Sequence, residues 1–121
     1  MKSRAVQKYL CLVHFDGNKL TAMTKAEKAT LDHDSRTYDE NLKKRGQLVA
    51  AEALQSSSKG KIVSVRENEM SVVDGPFTET KEQLGGFILV KAKSMGEAVK
   101  IAAGIPLAKL GRIEVRPIYN F

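Results

Sequence analysis

The chain has no tryptophan, one cysteine and only three prolines among its 121 residues. A lone thiol, Cys11, closes no internal disulfide and builds no zinc cluster, so the fold is expected to rest on its apolar core in a reducing, cytoplasmic setting. Long hydrophobic runs are missing too. The strongest, within Tyr9 to Val13 and Phe87 to Val90, fall well short of the roughly 20 residues that a membrane-spanning helix requires. The basic start, Met1-Lys2-Ser3-Arg4, leads into a stretch that carries Lys8 and His14 and has no small-residue cleavage site, so export is not expected. With no HExxH, P-loop or dinucleotide fingerprint in the sequence, no cofactor is expected.

What remains is 42% apolar and 28% charged, the balance of one compact domain over residues 1–121. Twenty lysines and arginines against 14 acids give a net charge of +6, a surplus that suits nucleic acid or acidic ligands. Its distribution argues otherwise. Basic residues are scattered from Lys2 to Arg116, and three tyrosines and four phenylalanines supply little for base stacking, so nucleic acid is not expected as a partner. The one tight cluster, Lys43-Lys44-Arg45, is explained by the last turn of a helix, where cations meet the negative end of the dipole.

Gln7 to Phe15 reads as a strand with Tyr9, Cys11, Val13 and Phe15 on one face and Leu10, Leu12 and His14 on the other. Both faces are largely apolar, so both need cover. Asp16-Gly17-Asn18 ends it as a turn. Thr24-Lys25-Ala26-Glu27 is a capping box that opens a helix over about Lys25 to Arg45, with Leu31, Ser35, Tyr38 and Leu42 on one stripe, His33 toward solvent and Gly46 as a left-handed stop. Gln47 to Leu54 is a further strand, and Lys61 to Arg66 with Met70 to Val73 form a hairpin about Glu67-Asn68. Pro76 lacks a ladder donor and takes the chain out of the sheet, after which Thr78 to Glu82 reads as a solvated loop entering a short helix. Phe87 to Ala92 is a strand, with Phe87, Leu89 and Lys91 opposite Ile88, Val90 and Ala92. A second capping box, Ser94-Met95-Gly96-Glu97, opens a helix with Ala98, Ile101, Ala102 and Ile105 buried, and Arg112 to Ile118 is the last strand.

This order predicts an α+β, ferredoxin-like βαββαβ fold with an inserted β-hairpin. Two helices cover one face of such a sheet. The other face bears an apolar set from two strands, and a symmetric homodimer is the commonest cover.

Among residues with chemistry, His14 shares a strand face with Leu10 and Leu12 and carries an imidazole, the side chain most used for acid-base work, which makes it a candidate acid or base. Asp74 opens a loop where a carboxylate orients a substrate or simply fixes a turn. Glu52 lies in an otherwise apolar strand and must be exposed, paired or neutralised, with Arg116 as its expected counter-charge and a candidate ligand-binding group. Cys11, flanked by leucines and no cation, reads as a buried inert thiol.

The segment Val73-Asp74-Gly75-Pro76-Phe77-Thr78-Glu79-Thr80-Lys81-Glu82-Gln83-Leu84-Gly85-Gly86-Phe87 resembles the signature of the DGPF-type YCII-related domain family. Tyr9-Leu10-Cys11-Leu12, Gly46 to Leu54 and Ile113-Glu114-Val115-Arg116-Pro117-Ile118 extend the likeness over nearly the whole chain. The resemblance implies a dimeric α+β barrel in which two such sheets pack face to face. The wider YCII-related group is similar to small barrel enzymes such as muconolactone isomerases, and the resemblance implies a histidine and aspartate pair as its active site. This sequence departs from that pair: the histidine position falls near Ser35, a candidate ligand-binding residue, and Ile105 precedes Pro106 where the aspartate is expected.

Two functional readings follow. In the first, the domain binds a small organic molecule in a pocket between sheet and helices, and any reaction is cofactor-independent acid-base chemistry. In the second, it is a non-catalytic dimerisation or regulatory module, which fits the association of similar proteins with extracytoplasmic-function sigma factors.

Overall fold

The computed structural model describes residues 6–121. Its elements run β1 (Gln7–Asp16), α1 (Gly17–Thr21), α2 (Lys25–Lys44), β2 (Leu48–Ala53), β3 (Lys61–Arg66), β4 (Glu69–Asp74), β5 (Glu82–Ala92), α3 (Met95–Ala103) and β6 (Gly111–Pro117), with single 3₁₀ turns at Ser57–Lys59 and Pro106–Lys109. Four strands form one antiparallel sheet in the order β2-β5-β1-β6, while β3 and β4 pair only with each other. That is the expected ferredoxin-like α+β sheet with its inserted hairpin.

Helix α2 is secured at both ends by the residues the sequence singles out. The Thr24 hydroxyl accepts from the Glu27 amide at 3.1 Å and the Glu27 carboxylate accepts from the Thr24 amide at 2.8 Å, closing the capping box. At the other end Gly46 takes φ +73°, its amide donates to Lys43 and that of Gln47 to Leu42, which satisfies carbonyls the helix leaves open. In α3 the Ser94 hydroxyl accepts from Glu97, but the Glu97 carboxylate reaches back one residue further, to the amide of Lys93.

Alternation along the strands sorts the core. Tyr9, Cys11 and Val13 of β1 and Ile88, Val90 and Ala92 of β5 are buried beneath Leu42 of α2, Ala98, Ile101 and Ala102 of α3, and Ile105. Val115 of β6 packs against this cluster and stands opposite Cys11, as Ile88 does from the other side. On the reverse face Leu10, Leu12, Phe87 and Leu89 are half-buried only, because no element of the described chain lies over them.

Three local expectations are corrected. The turn at Asp16-Gly17-Asn18 is instead the start of α1, nucleated by the Asp16 carboxylate accepting from the Asn18 amide at 2.9 Å. No helix follows Thr80: β5 begins at Glu82, since Glu82 and Gln83 extend the ladder opposite Asp16 and Phe15. Gly85 then lies under the Phe15 ring, an approach that leaves no room for a Cβ. Finally, Glu52 and Arg116 form no pair, because β2 and β6 are the two opposite edges of the sheet and Arg116 lies 3.7 Å from Glu114 instead.

The β3–β4 hairpin turns through Glu67 and Asn68, both at positive φ as a two-residue hairpin turn requires. Its base is fixed by the Gly75 amide donating to Gly60 at 2.8 Å, with the Ser57 carbonyl so close that a Cβ at position 75 would sit 2.6 Å from it. This explains the glycine of the Asp74-Gly75-Pro76 motif. Val63 and Val72, and Val65 and Met70, are cross-strand partners that line one outward face of the hairpin, all exposed.

Candidate functional site

Between α2 and the sheet lies a cavity of about 180 Å³. Its floor is Val13 of β1 with the Gly85-to-Ile88 stretch of β5, β2 supplies one wall, and the turn at Ile105 to Leu107 supplies another. Ser35 and Asp39 of α2, four residues apart and therefore on one helix face, bring the polar groups. Gly86 is buried, and a Cβ there would lie 2.9 Å from the Glu52 carbonyl, so the close approach of β2 and β5 depends on glycine.

Asp39 is half-buried, and burial holds its carboxyl above the ordinary value of 3.8; among the described residues it makes no ion pair. An acid whose charged form is disfavoured in an apolar cleft gives up its proton less readily than a solvated one does. The adjacent Tyr38 sets where α2 sits: its hydroxyl donates to the Ile101 carbonyl at 2.6 Å, pinning α2 to α3, and burial pushes its own ionisation upward.

The expected site residues do not converge. Ser35 lines this cavity, and so does Ile105, so the two positions at which the resemblance implies a histidine and an aspartate do meet across one space. His14 lies on the opposite face of the sheet, in an open cleft of about 550 Å³ with Thr80, Lys81, Glu82 and Arg112. Its Nε2 is 3.9 Å from the Glu114 carboxylate, too far for a hydrogen bond, while Arg112 is already engaged by Glu82 at 2.7 Å. Asp74 caps no turn. It forms an exposed ion pair with Lys61 across the base of the hairpin. Glu52 pairs with Phe87 in the ladder, so its side chain belongs to the reverse face of the sheet and only its backbone side borders the cavity. Cys11 is buried with its thiol pushed up to about 11, which leaves it protonated and unreactive at neutral pH.

Asp39 is the residue that sequence reasoning missed. The signal was present: at 100° per residue position 39 lies about 40° from Ser35, beside the apolar stripe rather than opposite it.

The model of the YCII-related domain matches residues 7–121. The chain belongs to this family. Among curated proteins it is similar to an uncharacterized protein of Rhizobium meliloti, 31% identical over 112 residues that span 91% of this chain and 90% of that one. The YCII-related match runs through the cavity and the hairpin alike, so both belong to the domain rather than to an appendage. No helix among the described residues is long and apolar enough to cross a membrane.

Proposed function

We propose that this YCII-related domain binds a small organic molecule in the cavity beneath α2, with Asp39 as the group that exchanges a proton with it and Ser35 as a hydrogen-bonding partner. The observation that carries this reading is the half-buried Asp39 carboxylate at an apolar cavity, charged at a cost and unpaired. About 180 Å³ equals the liquid volume of roughly six waters and is near that of engineered cavities that hold one benzene ring. A single ring or a short branched chain fits. His14, Asp74 and Glu52 lie outside this chemistry.

The domain works as a homodimer in this reading. Leu10, Leu12, Phe87 and Leu89 form a half-covered apolar stripe, bordered by Glu52 on one edge and by Arg112, Glu114 and Arg116 on the other. A rim with both signs of charge suits an isologous contact, in which each patch meets its own copy in reverse.

A thermal-shift screen of single-ring organic compounds tests the site, since a ligand of the folded state raises apparent stability. Hits that stabilise the wild type and are lost in Ser35→Leu, which fills the cavity, support it. Hits retained in Ser35→Leu place binding elsewhere and overturn it. The absence of any hit favours the second reading, a non-catalytic dimerisation or regulatory module, which the scatter of His14, Asp74 and Glu52 over three separate places already favours over chemistry by those three.

A further inference from the structure

Resting on that cavity as the binding site, we infer that its ligand is a compact cation, a protonated amine carried on an apolar body of about one ring. One charged side chain faces this space, Asp39, and it is acidic; Glu52 borders it through its backbone alone. No lysine, arginine or histidine among the described residues reaches the lining. The other side chains on this face of the sheet are aliphatic, with glycine backbone and the Ser35 hydroxyl beside them.

A carboxylate ligand entering this space would be desolvated with no cation to meet it and with the Asp39 carboxylate facing it. Both effects oppose binding. A neutral ligand leaves Asp39 as it stands, half-buried and unpartnered. A protonated amine gives that carboxylate the ion-pair partner it lacks among the described residues, in surroundings drier than bulk water where the attraction is less screened. Ser35, one turn away on the same helix face, presents a hydroxyl oxygen that accepts a second ammonium hydrogen. The apolar floor of Val13 and Ile88 takes the hydrocarbon body. The net charge of +6 works against long-range attraction of cations, so selectivity arises inside the cavity and not from the field of the whole surface.

The test uses three probes of one size, benzylamine, benzyl alcohol and benzoate, titrated at pH 7 into the full chain and followed by the amide resonances of Ser35, Asp39, Ala53 and Gly86. The expected order is benzylamine tightest and benzoate weakest, with at least tenfold between them. In Asp39→Asn the preference for benzylamine over benzyl alcohol should vanish. Benzoate binding as tightly as benzylamine, or an amine preference that survives in Asp39→Asn, overturns the inference and leaves the cavity as a site. If none of the three moves those resonances, the cavity itself is not a binding site and both readings fall.

Discussion

Gly104 and Tyr38 offer the sharpest test of how α2 is held over the cavity. Gly104 ends α3 at φ −84° and ψ −10°, a conformation alanine adopts freely, so the backbone does not demand glycine there. The neighbour does: a Cβ at position 104 would lie 2.7 Å from the Tyr38 Cζ and 2.8 Å from its Cε1, and closer still to the hydroxyl that bonds Ile101. Gly104→Ala therefore combines an overpacking cost of about 1–3 kcal/mol with a gain of about 0.4–1 kcal/mol from a less flexible unfolded chain. The expected net loss is about 1–2 kcal/mol, which in a domain of this size lowers Tm by roughly 4–8 °C. In a Tyr38→Leu background the ring is gone, and the same substitution should stabilise by about 0.5 kcal/mol. Urea denaturation of the four proteins, at one protein concentration so that any dimerisation contributes equally, gives the cycle, with an expected coupling of roughly 2 kcal/mol. Equal effects of Gly104→Ala in both backgrounds, within about 0.5 kcal/mol, would refute the claim that the tyrosine ring is what selects glycine.

Asp39 sets a pH dependence of known sign. Because its folded-state carboxyl titrates above the ordinary 3.8, the folded protein holds the proton longer than the unfolded chain, and the stability this lends is lost as pH rises from about that value through the raised one. Asp39→Asn should remove this decline, so that the variant gains on the wild type between acid and neutral pH in parallel denaturation curves; a gain in the opposite direction would contradict the burial argument. Cys11, buried and with its thiol near 11, should react with a disulfide reagent at pH 8 only in denaturant, and rapid labelling of the native protein would show the strand to be open. Gly46→Ala, at φ +73° with open space around it, should cost about 1 kcal/mol through backbone strain alone, measured as a shift in urea midpoint at unchanged slope. Leu12→Asp on the uncovered face should yield a folded monomer by sedimentation, while a dimer that persists would place the subunit contact elsewhere.

Local rules wrote most of the secondary structure directly into the sequence. The capping box at Thr24, the glycine after Lys43-Lys44-Arg45 and the alternation of Tyr9, Cys11 and Val13 each act within a few residues, so α2 and β1 were legible to within one residue. Where a partner strand decides, sequence reading fell short. The stretch from Glu82 to Gly86 reads as the end of a loop and a short helix, with two glycines and little apolar character, yet it is strand because β1 offers it a ladder and Phe15 needs the space above Gly85. Asp74 reads as a turn former and is held by Lys61 thirteen residues earlier, a relation visible only once β3 and β4 pair.

The candidate site follows the same division. Residue types and helical phase place Ser35 and Asp39 on one face of α2, and the sequence determines that much unaided. That Ile105 stands across from them, that Glu52 turns away while Arg116 lies at the far edge, and that His14 belongs to the other side of the sheet are consequences of the strand order β2-β5-β1-β6. Hydrophobic periodicity tells each element which side to bury, but not which neighbour it will bury it against. Only the assembled sheet, by bringing α2 over the β2–β5 seam, turns an ordinary helical aspartate into one that is half out of water and in no ion pair.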